Sequence, residues 1–571
     1  MRWVSWIALV LPLAGAYGAE DRAEAVLRLA PADAAAALLV PSLRENARDL
    51  LATPFAGRLR ELPAWKAWLG SDAARRLDRS RREVETVLGA SLPAIRDELL
   101  GDAAALVMRL PPGAGPEAAE GMLLTCVRDR RLLDRLVQAV NQAEQNDGTL
   151  ARLVERQHRG VPYSMRSFRP GTKPDEFYTV LDDDIFVWTN SEALLRSTID
   201  RQTDGRGLAD EPRLKRVRAA LPEHPLAALF LDPQALAHLA PPPGDDPAAR
   251  LLHRYVRAID YVGAALEWRD GPVLHVHEAL DPSKLDEPLR RWAARPGGAG
   301  MLLGRVPPTA PVLAAGHVDF SAAGDLALGL VPEADRGRAE NVLTVLQGLF
   351  LGLDVRAAVL PRLGPGLLAY VDSPGDAGNF PLVVALGLGG CPEDRPSIAA
   401  AVENALRTLL ALAALDAKMG PNVRLASREV HGVRVTSLVG GPRPVSYALG
   451  PGFLAVGTTA EAVGTFAGEP PAGGNPDLKR LREAYFPDVE TYAWADLTAL
   501  HRLAVAHRDA LAHRLAADRG GDRAAAQRDL SAALDLLGLF RAAVVASRME
   551  PDASAAHRTI GLLARDDEPS P

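Results

Sequence analysis

Cysteine, lysine and aromatic residues are scarce in this chain of 571 residues. It contains two cysteines, six lysines against fifty-nine arginines, and 5% aromatic residues. Two cysteines are too few for the disulfide framework of a small secreted scaffold. The formal net charge of −7 is small for this length. The charge balance therefore indicates neither nucleic acid nor an anionic lipid surface as a partner, since both need a clustered basic face.

Long apolar runs are absent after the N-terminus. The longest later candidates, Leu343–Leu353 and Leu406–Leu415, have the length of buried helices. We therefore expect no transmembrane segment in the mature chain. Motifs for phosphate loops, zinc proteases, nucleophile elbows and paired cysteines are also missing. This does not exclude an enzyme, because catalytic triads form from residues far apart in sequence.

The first residues predict export. Arg2 precedes the apolar run Trp3–Leu13, and small residues follow from Ala14 to Ala19. This is the three-part pattern of a secretory signal peptide, with cleavage after Ala16 or Gly18, and we assign it residues 1–18. A membrane anchor is the alternative, but the run is shorter than the roughly 20 residues that a span needs. The mature protein is expected in the periplasm or outside the cell.

A hairpin near residue 180 occurs twice in the chain. The apolar runs Tyr178–Leu181 and Ile185–Thr189 flank an Asp-rich turn, which predicts a β-hairpin. Thr189 and Glu192 have capping-box spacing and predict the start of a helix. A similar stretch, SYALGPGFLAVGTTAEAV, lies near residue 447. Five residues of the two stretches correspond at a constant spacing of 269. The pairs are Tyr178 and Tyr447, Val187 and Val456, Thr189 and Thr458, Glu192 and Glu461, and Ala193 and Ala462.

Other anchors repeat in the same order at offsets of 263 to 272 residues. They include Leu88-Gly89 with Leu351-Gly352, Cys126-x-x-Asp129-Arg130 with Cys391-x-x-Asp394-Arg395, Gly160-Val161 with Gly432-Val433, Pro212-x-Leu214-Lys215-Arg216 with Pro476-x-Leu478-Lys479-Arg480, and Asp232 with Asp496. Preserved order with drifting offsets is what loop insertions in two copies of one fold would produce. The sequence therefore predicts an internal duplication.

The fold class that we predict is α+β. Consecutive hairpins indicate an antiparallel sheet with helices on one face, used twice in tandem. The composition, 48% hydrophobic and 24% charged, is that of a globular protein. The predicted divisions are a first repeat over 30–281, a join over 282–304, a second repeat over 305–565 and a disordered tail over 566–571.

The exported start, the Pro54–Leu59 helical entry (PFAGRL), the Leu-Gly pairs and the Pro-x-Leu-Lys-Arg helix together resemble the secreted bacterial family called domain of unknown function 3352. The resemblance covers nearly all of the mature chain through structural motifs. It implies an exported protein of uncharacterised role and supplies no catalytic residues.

Two groups of residues are weak metal candidates. Asp182, Asp183 and Asp184 cluster carboxylates, as a Ca²⁺ site does, but the second copy has Gly450-Pro451-Gly452 there, so a plain turn explains both. His275 and His277 lie on one face of a predicted strand. Zinc needs further ligands, and the second copy offers only His557. A turn and a solvated strand face are the simpler interpretations.

Three further features have structural explanations. Cys126 and Cys391 occupy equivalent positions, so they form a disulfide only near a pseudo-two-fold axis; buried thiols are the alternative. Gly387-x-Gly389-Gly390 resembles a phosphate loop but has the wrong spacing. The basic residues after Pro212 are explained by a helix with an exposed cationic face.

The function that we predict is non-catalytic: binding or structural support in the periplasm or cell envelope, with no cofactor and no assigned catalytic residue. One alternative is an exported hydrolase with a site between the repeats. Another is a carrier of a hydrophobic ligand, with a groove lined by the helices Ile398–Lys418 and Asp496–Arg514. The partner is left open between an envelope protein and a hydrophobic ligand.

Overall fold

The computed structural model describes residues 19–239, 244, 246–294, 298, 300–373, 380–389, 397–415, 422–441, 444–471, 476–485, 491–518 and 521–565. The predicted signal peptide, Cys391, Gly390 and the predicted tail 566–571 lie outside these residues. The chain is 48% helix and 29% strand, and its sheet is antiparallel, so it is an α+β protein.

The strands are Ala36–Val40 (β1), Ala104–Arg109 (β2), Glu120–Cys126 (β3), Leu150–His158 (β4), Val161–Phe168 (β5), Glu176–Leu181 (β6), Ile185–Thr189 (β7), Ala227–Leu231 (β8), Ile259–Trp268 (β9), Pro272–Leu280 (β10), Val312–His317 (β11), Leu363–Val371 (β12), Leu382–Leu388 (β13), Arg424–Val430 (β14), Val433–Val439 (β15), Val445–Gly450 (β16), Phe453–Gly457 (β17), Thr491–Asp496 (β18), Phe540–Met549 (β19) and Ala555–Ala564 (β20).

The α-helices are Ala19–Leu29 (α1), Leu43–Ala52 (α2), Pro54–Glu61 (α3), Pro63–Leu69 (α4), Asp72–Leu88 (α5), Leu92–Leu99 (α6), Arg130–Asn146 (α7), Glu192–Asp204 (α8), Pro212–Ala219 (α9), Pro233–Leu236 (α10), Pro247–Ala258 (α11), Glu287–Ala294 (α12), Gly300–Leu303 (α13), Phe320–Leu330 (α14), Arg336–Leu349 (α15), Ile398–Ala414 (α16), Ala460–Ala467 (α17), Pro476–Tyr485 (α18), Leu497–Ala506 (α19), Arg508–Asp518 (α20) and Arg523–Leu537 (α21).

All these strands form one sheet in two halves. The first half runs β4-β5-β6-β7-β3-β2-β1-β8-β9-β10. The second runs β14-β15-β16-β17-β13-β12-β11-β18-β19-β20, which is the same order of connection. The halves join where β10 pairs with β20, and we call this junction the seam. The shared order supports the predicted duplication, whose origin stays a prediction.

One side of the sheet carries the main core. In β1, Ala37 and Leu39 are buried, whereas Ala36 and Leu38 are only partly buried, because successive side chains point to opposite faces. Helices α1, α8 and α9 cover this side in the first half, and α13 and α17 cover it in the second. We call this side the core face and the other side the open face. Toward its outer edges the open face is also covered, by α6 and α7 over β6 and β7 and by α16 over β16 and β17, so the prediction of helices on one face only is wrong. Within the described residues, no helix combines the length and apolar character needed to cross a membrane.

The β6–β7 hairpin is confirmed, but the helix after it begins differently from the prediction. Ser191 is the N-cap, and its hydroxyl accepts a hydrogen bond from the Leu194 N–H. The Thr189 hydroxyl instead accepts from the Ser191 N–H. The predicted capping box is therefore wrong, because Thr189 still belongs to β7. The Glu192 carboxylate does not reach back to the cap; it accepts from Arg156.

Candidate functional site

The open face is apolar across the seam. Residues directly opposite each other on neighbouring strands share a face, so the strand pairing defines continuous rows of side chains. The central row is Ala227, Leu266, Leu274, Ile560, Val545, Ala493, Ala314, Ala369, Val384 and Val456. At about 4.8 Å per strand, ten strands make this row roughly 43 Å long. Each half of the chain supplies part of it.

Side chains in the middle of this face are accessible to solvent. Val545 and Ile560 are each 44% exposed, and Leu562, one row along, is 39% exposed. Leu382 and Val384 on β13 and Leu229 on β8 are also exposed. Single exposed apolar residues are ordinary, but a contiguous apolar area is typical of a binding surface.

Helices close the two ends of the open face at the seam. At one end, the ring of Phe55 in α3 lies 5.1 Å from that of Trp268 and 5.5 Å from that of Phe540. At the other end, Tyr255 of α11 and Leu289 of α12 pack in a cluster with Val262, Met549 and Ala556. The exposed rows therefore form a floor with a wall at each end.

Glu278 and Arg558 form an ion pair on the open face at the seam. Glu278 of β10 is 7% exposed and accepts a hydrogen bond from Arg558 of β20. The Tyr255 hydroxyl donates to the same carboxylate at 2.7 Å. Burial, together with the Glu278 charge, raises the pKa of Tyr255. The phenol thus stays protonated and holds α11 against the seam.

A cleft of about 640 Å³ lies beside α11. It is lined by Gln234 and Ala237 of the α10 region, by Arg254 and Arg257 of α11, and by Lys284. We call it the cationic cleft. The side-chain amide of Gln234 donates to the carbonyl of Ile259, the first residue of β9, at 2.7 Å. The cleft therefore adjoins the end of the open face where β9 begins.

His275 and His277 share one face at the seam, as strand alternation predicts. It is the core face, and His277 is 7% exposed, so the interpretation as a solvated strand face is wrong. His275 Nε2 is 2.9 Å from Glu267 Oε1. His277 stands opposite His557, with 3.3 Å between their Nδ1 atoms. Burial, followed by the neighbouring His557, lowers the pKa of His277 to about 4. One ring donates and the other accepts, so a neutral pair fits this geometry.

The Asp-rich turn is a single 3₁₀ turn. It spans Asp182–Asp184, and Asp184 adopts a φ of 57° while its carboxylate lies 3.5 Å from Arg130. The side chain of Asp183 lies outside the described part of the structure. Among the residues that the structure describes, no group of three or more His, Cys, Asp or Glu side chains is placed to hold a metal ion.

The remaining candidates from the sequence lie apart from the open face. Cys126 ends β3 and is 2% exposed. Cys391 lies outside the described residues, so the structure does not address a disulfide between the two. Gly387 is within β13 and Gly389 follows it; Gly389 donates its N–H to the Arg362 carbonyl rather than opening a phosphate loop.

The groove that the carrier alternative places between the helices Ile398–Lys418 and Asp496–Arg514 stays a prediction. Helix α16 packs over β16 and β17 on the open-face side through Ile398 and Val402. Helix α19 packs on β19 beside the seam. The basic side chains of α9 mostly contact carboxylates of the same chain, such as Arg218 with Glu24 at 2.6 Å.

A buried charge cluster on the open-face side of the first half was not predicted from the sequence. Arg166 of β5 is 1% exposed and pairs with Glu144 and Glu176, and Lys173 lies 2.7 Å from Glu144. The Arg166 guanidinium also stands over Trp188, 5.2 Å from the ring centroid. Two cations balance two anions, so the cluster is saturated and offers no free charge to a ligand.

Comparisons with known proteins give little. No family model matches this chain, and no curated protein matches it. A solved structure, crystal form III of TP0453, aligns over 46% of this chain and 83% of its own with 10% identity and a TM-score of 0.24. A TM-score this low supports no inference about fold or function. The resemblance to domain of unknown function 3352 thus stays a prediction.

Proposed function

We propose that this chain is an exported, non-catalytic binding protein that holds long apolar molecules against its open face. The observation that carries the proposal is the apolar row through the seam, with Val545 and Ile560 each 44% exposed. Export is supported by the N-terminal pattern of Arg2 and the apolar run Trp3–Leu13. The proposal joins the predicted binding role to the carrier alternative, and moves the ligand from a helical groove to the sheet.

An elongated apolar ligand fits this surface better than a compact one. The exposed row is one or two side chains wide and crosses many strands, so a linear chain can lie along it. Each methylene removed from water contributes about 0.8 kcal/mol, which corresponds to roughly a fourfold gain in affinity. Nothing in the described part of the chain favours a hydrolase over such a binding protein.

A chain-length series tests this function. Octanol, decanol and dodecanol would displace the fluorescent probe N-phenyl-1-naphthylamine from the wild-type protein, with dissociation constants that fall about fourfold per added methylene. The double variant Val545→Arg/Ile560→Arg should bind dodecanol about tenfold more weakly, because two charged groups then occupy the floor. The control Val345→Arg, at a site on α15 that is 69% exposed, should bind as the wild type does.

Two results would contradict the proposal. One is wild-type protein that fails to bind any of the three alcohols. The other is a floor variant with a wild-type melting temperature and wild-type affinity, since the alcohols would then bind elsewhere.

A further inference from the structure

The cationic cleft is lined mainly by basic side chains. Three of its five lining side chains are cations, Arg254, Arg257 and Lys284, and none is acidic. The helix that supplies two of them, α11, has the sequence PAARLLHRYVRA, with three arginines, one histidine and no carboxylate. A net charge of −7 for the chain therefore conceals a local basic cluster that the sequence composition did not indicate.

The cations of the cleft are only partly neutralised. Arg254 lies 3.0 Å from Asp286, and Lys284 lies 3.2 Å from Asp281. In the described ranges no carboxylate pairs with Arg257. Both existing ion pairs are solvent-exposed on the cation side, and such pairs contribute little, so an incoming anion can compete for the donors.

The matching position in the second half lacks this chemistry. Arg254 and Arg257 precede the first residue of β9 by five and two residues, and the residues at the same distances before β19 are Asp535 and Gly538. The basic pair is thus a property of one half and not a requirement of the shared strand order.

We propose that the cationic cleft binds the anionic head, a phosphate or carboxylate, of an amphiphile whose chain lies on the open face. The assignment of the chain rests on the proposed function; the assignment of the anion rests on the cleft alone. A guanidinium group presents a planar fork of donors that matches two oxygens of a phosphate or carboxylate. The wall of α11 and α12 closes the floor at the seam, but Leu229 of β8 is exposed on the open face five residues before Gln234 of the cleft. Five residues span at most about 18 Å, so a long chain can reach from the cleft to the floor on the β8 side.

Matched amphiphiles test this inference. Dodecyl phosphate and dodecanol have the same chain and differ in head-group charge. Wild-type protein should bind dodecyl phosphate about tenfold or more tightly, as expected for hydrogen bonds between charged groups. The variant Arg254→Gln/Arg257→Gln should lose that preference and keep its affinity for dodecanol. The control Arg250→Gln alters the same helix outside the cleft and should keep the preference.

Inorganic phosphate distinguishes a site for the head group of an amphiphile from a site for a free phosphate ion. Titration of wild type and double variant with inorganic phosphate shows whether the cleft takes the anion without a chain. If wild type binds inorganic phosphate weakly and the double variant does not, the cleft is an anion site. This conclusion holds even if no alcohol binds; in that case only the proposed function has failed. Equal preference for dodecyl phosphate in wild type and double variant would overturn the inference while leaving the open face intact.

The last experiment measures the binding of wild type and double variant to phosphatidylglycerol vesicles. If the two arginines govern vesicle binding but do not affect the preference for dodecyl phosphate over dodecanol, the cleft contacts a membrane surface. That result would also overturn the assignment to a held ligand.

Discussion

At the scale of single residues, His277 and His557 meet at the seam, and this contact was not predicted from the sequence. Strand alternation predicted correctly that His275 and His277 share a face. It could not predict that His557 would stand opposite His277, because that contact depends on which strands meet across 280 residues. In the structure this weak metal candidate is one of two facing imidazoles at the junction of the two halves, of which His277 is buried and His557 half-buried.

This pair makes stability depend on pH. The unfolded chain takes up a proton near the ordinary His pKa of 6.5, whereas folded His277 does so only near 4. The unfolded state binds more protons between these values, so stability present above pH 6.5 is lost as the pH falls toward 4. The pKa of His557 is also lowered by burial and by Arg548, in the same direction.

Urea unfolding at pH 7.5, 6 and 4.5 measures this effect. We expect the free energy of unfolding of the wild type to fall over this range by a few kcal/mol, and His277→Asn to remove much of that loss. The exposed His507→Gln is the control and should leave the slope unchanged. A slope unaltered by His277→Asn would show that the pair does not titrate as described.

At the scale of elements, the sequence predicted hairpins better than helix starts. The Asp-rich turn between apolar runs predicted β6–β7 correctly, since turn residues and alternation agree there. The prediction placed the helix N-cap at Thr189, whereas the structure has it at Ser191; both are hydroxyl residues near the same turn. The open face was not predictable from periodicity: strands such as β19 are apolar on both sides, a pattern typical of strands buried on both faces.

Helix α3 is an element whose position matters beyond its own half. Its Phe55 contacts Trp268 before the seam and Phe540 after it. Replacement of Phe55 by Ala should lower the free energy of unfolding by about 1–3 kcal/mol through two lost aromatic contacts. The control Phe380→Ala, at a ring that is 44% exposed, should cost much less in the same urea measurement. Equal losses would mean that α3 does not brace the seam.

At the scale of the whole molecule, the two halves build one surface that neither builds alone. Leu266 and Leu274 come from the first half, and Ile560 and Val545 come from the second, yet they are neighbours in one row. Repeated anchors in the sequence indicated two similar units. They could not indicate that the units join edge to edge through their last strands, which is what makes the row continuous.

The central claim is that an apolar chain lies on the floor at the seam, and photo-crosslinking tests it most directly. Wild-type protein would be irradiated with dodecanol that carries a diazirine on its terminal carbon, digested and analysed by mass spectrometry. We predict modified peptides from β19 and β20, which include Val545 and Ile560, and their loss when unlabelled dodecanol is in excess. Modification confined to exposed helices such as α15, or unaffected by the competitor, would contradict the account.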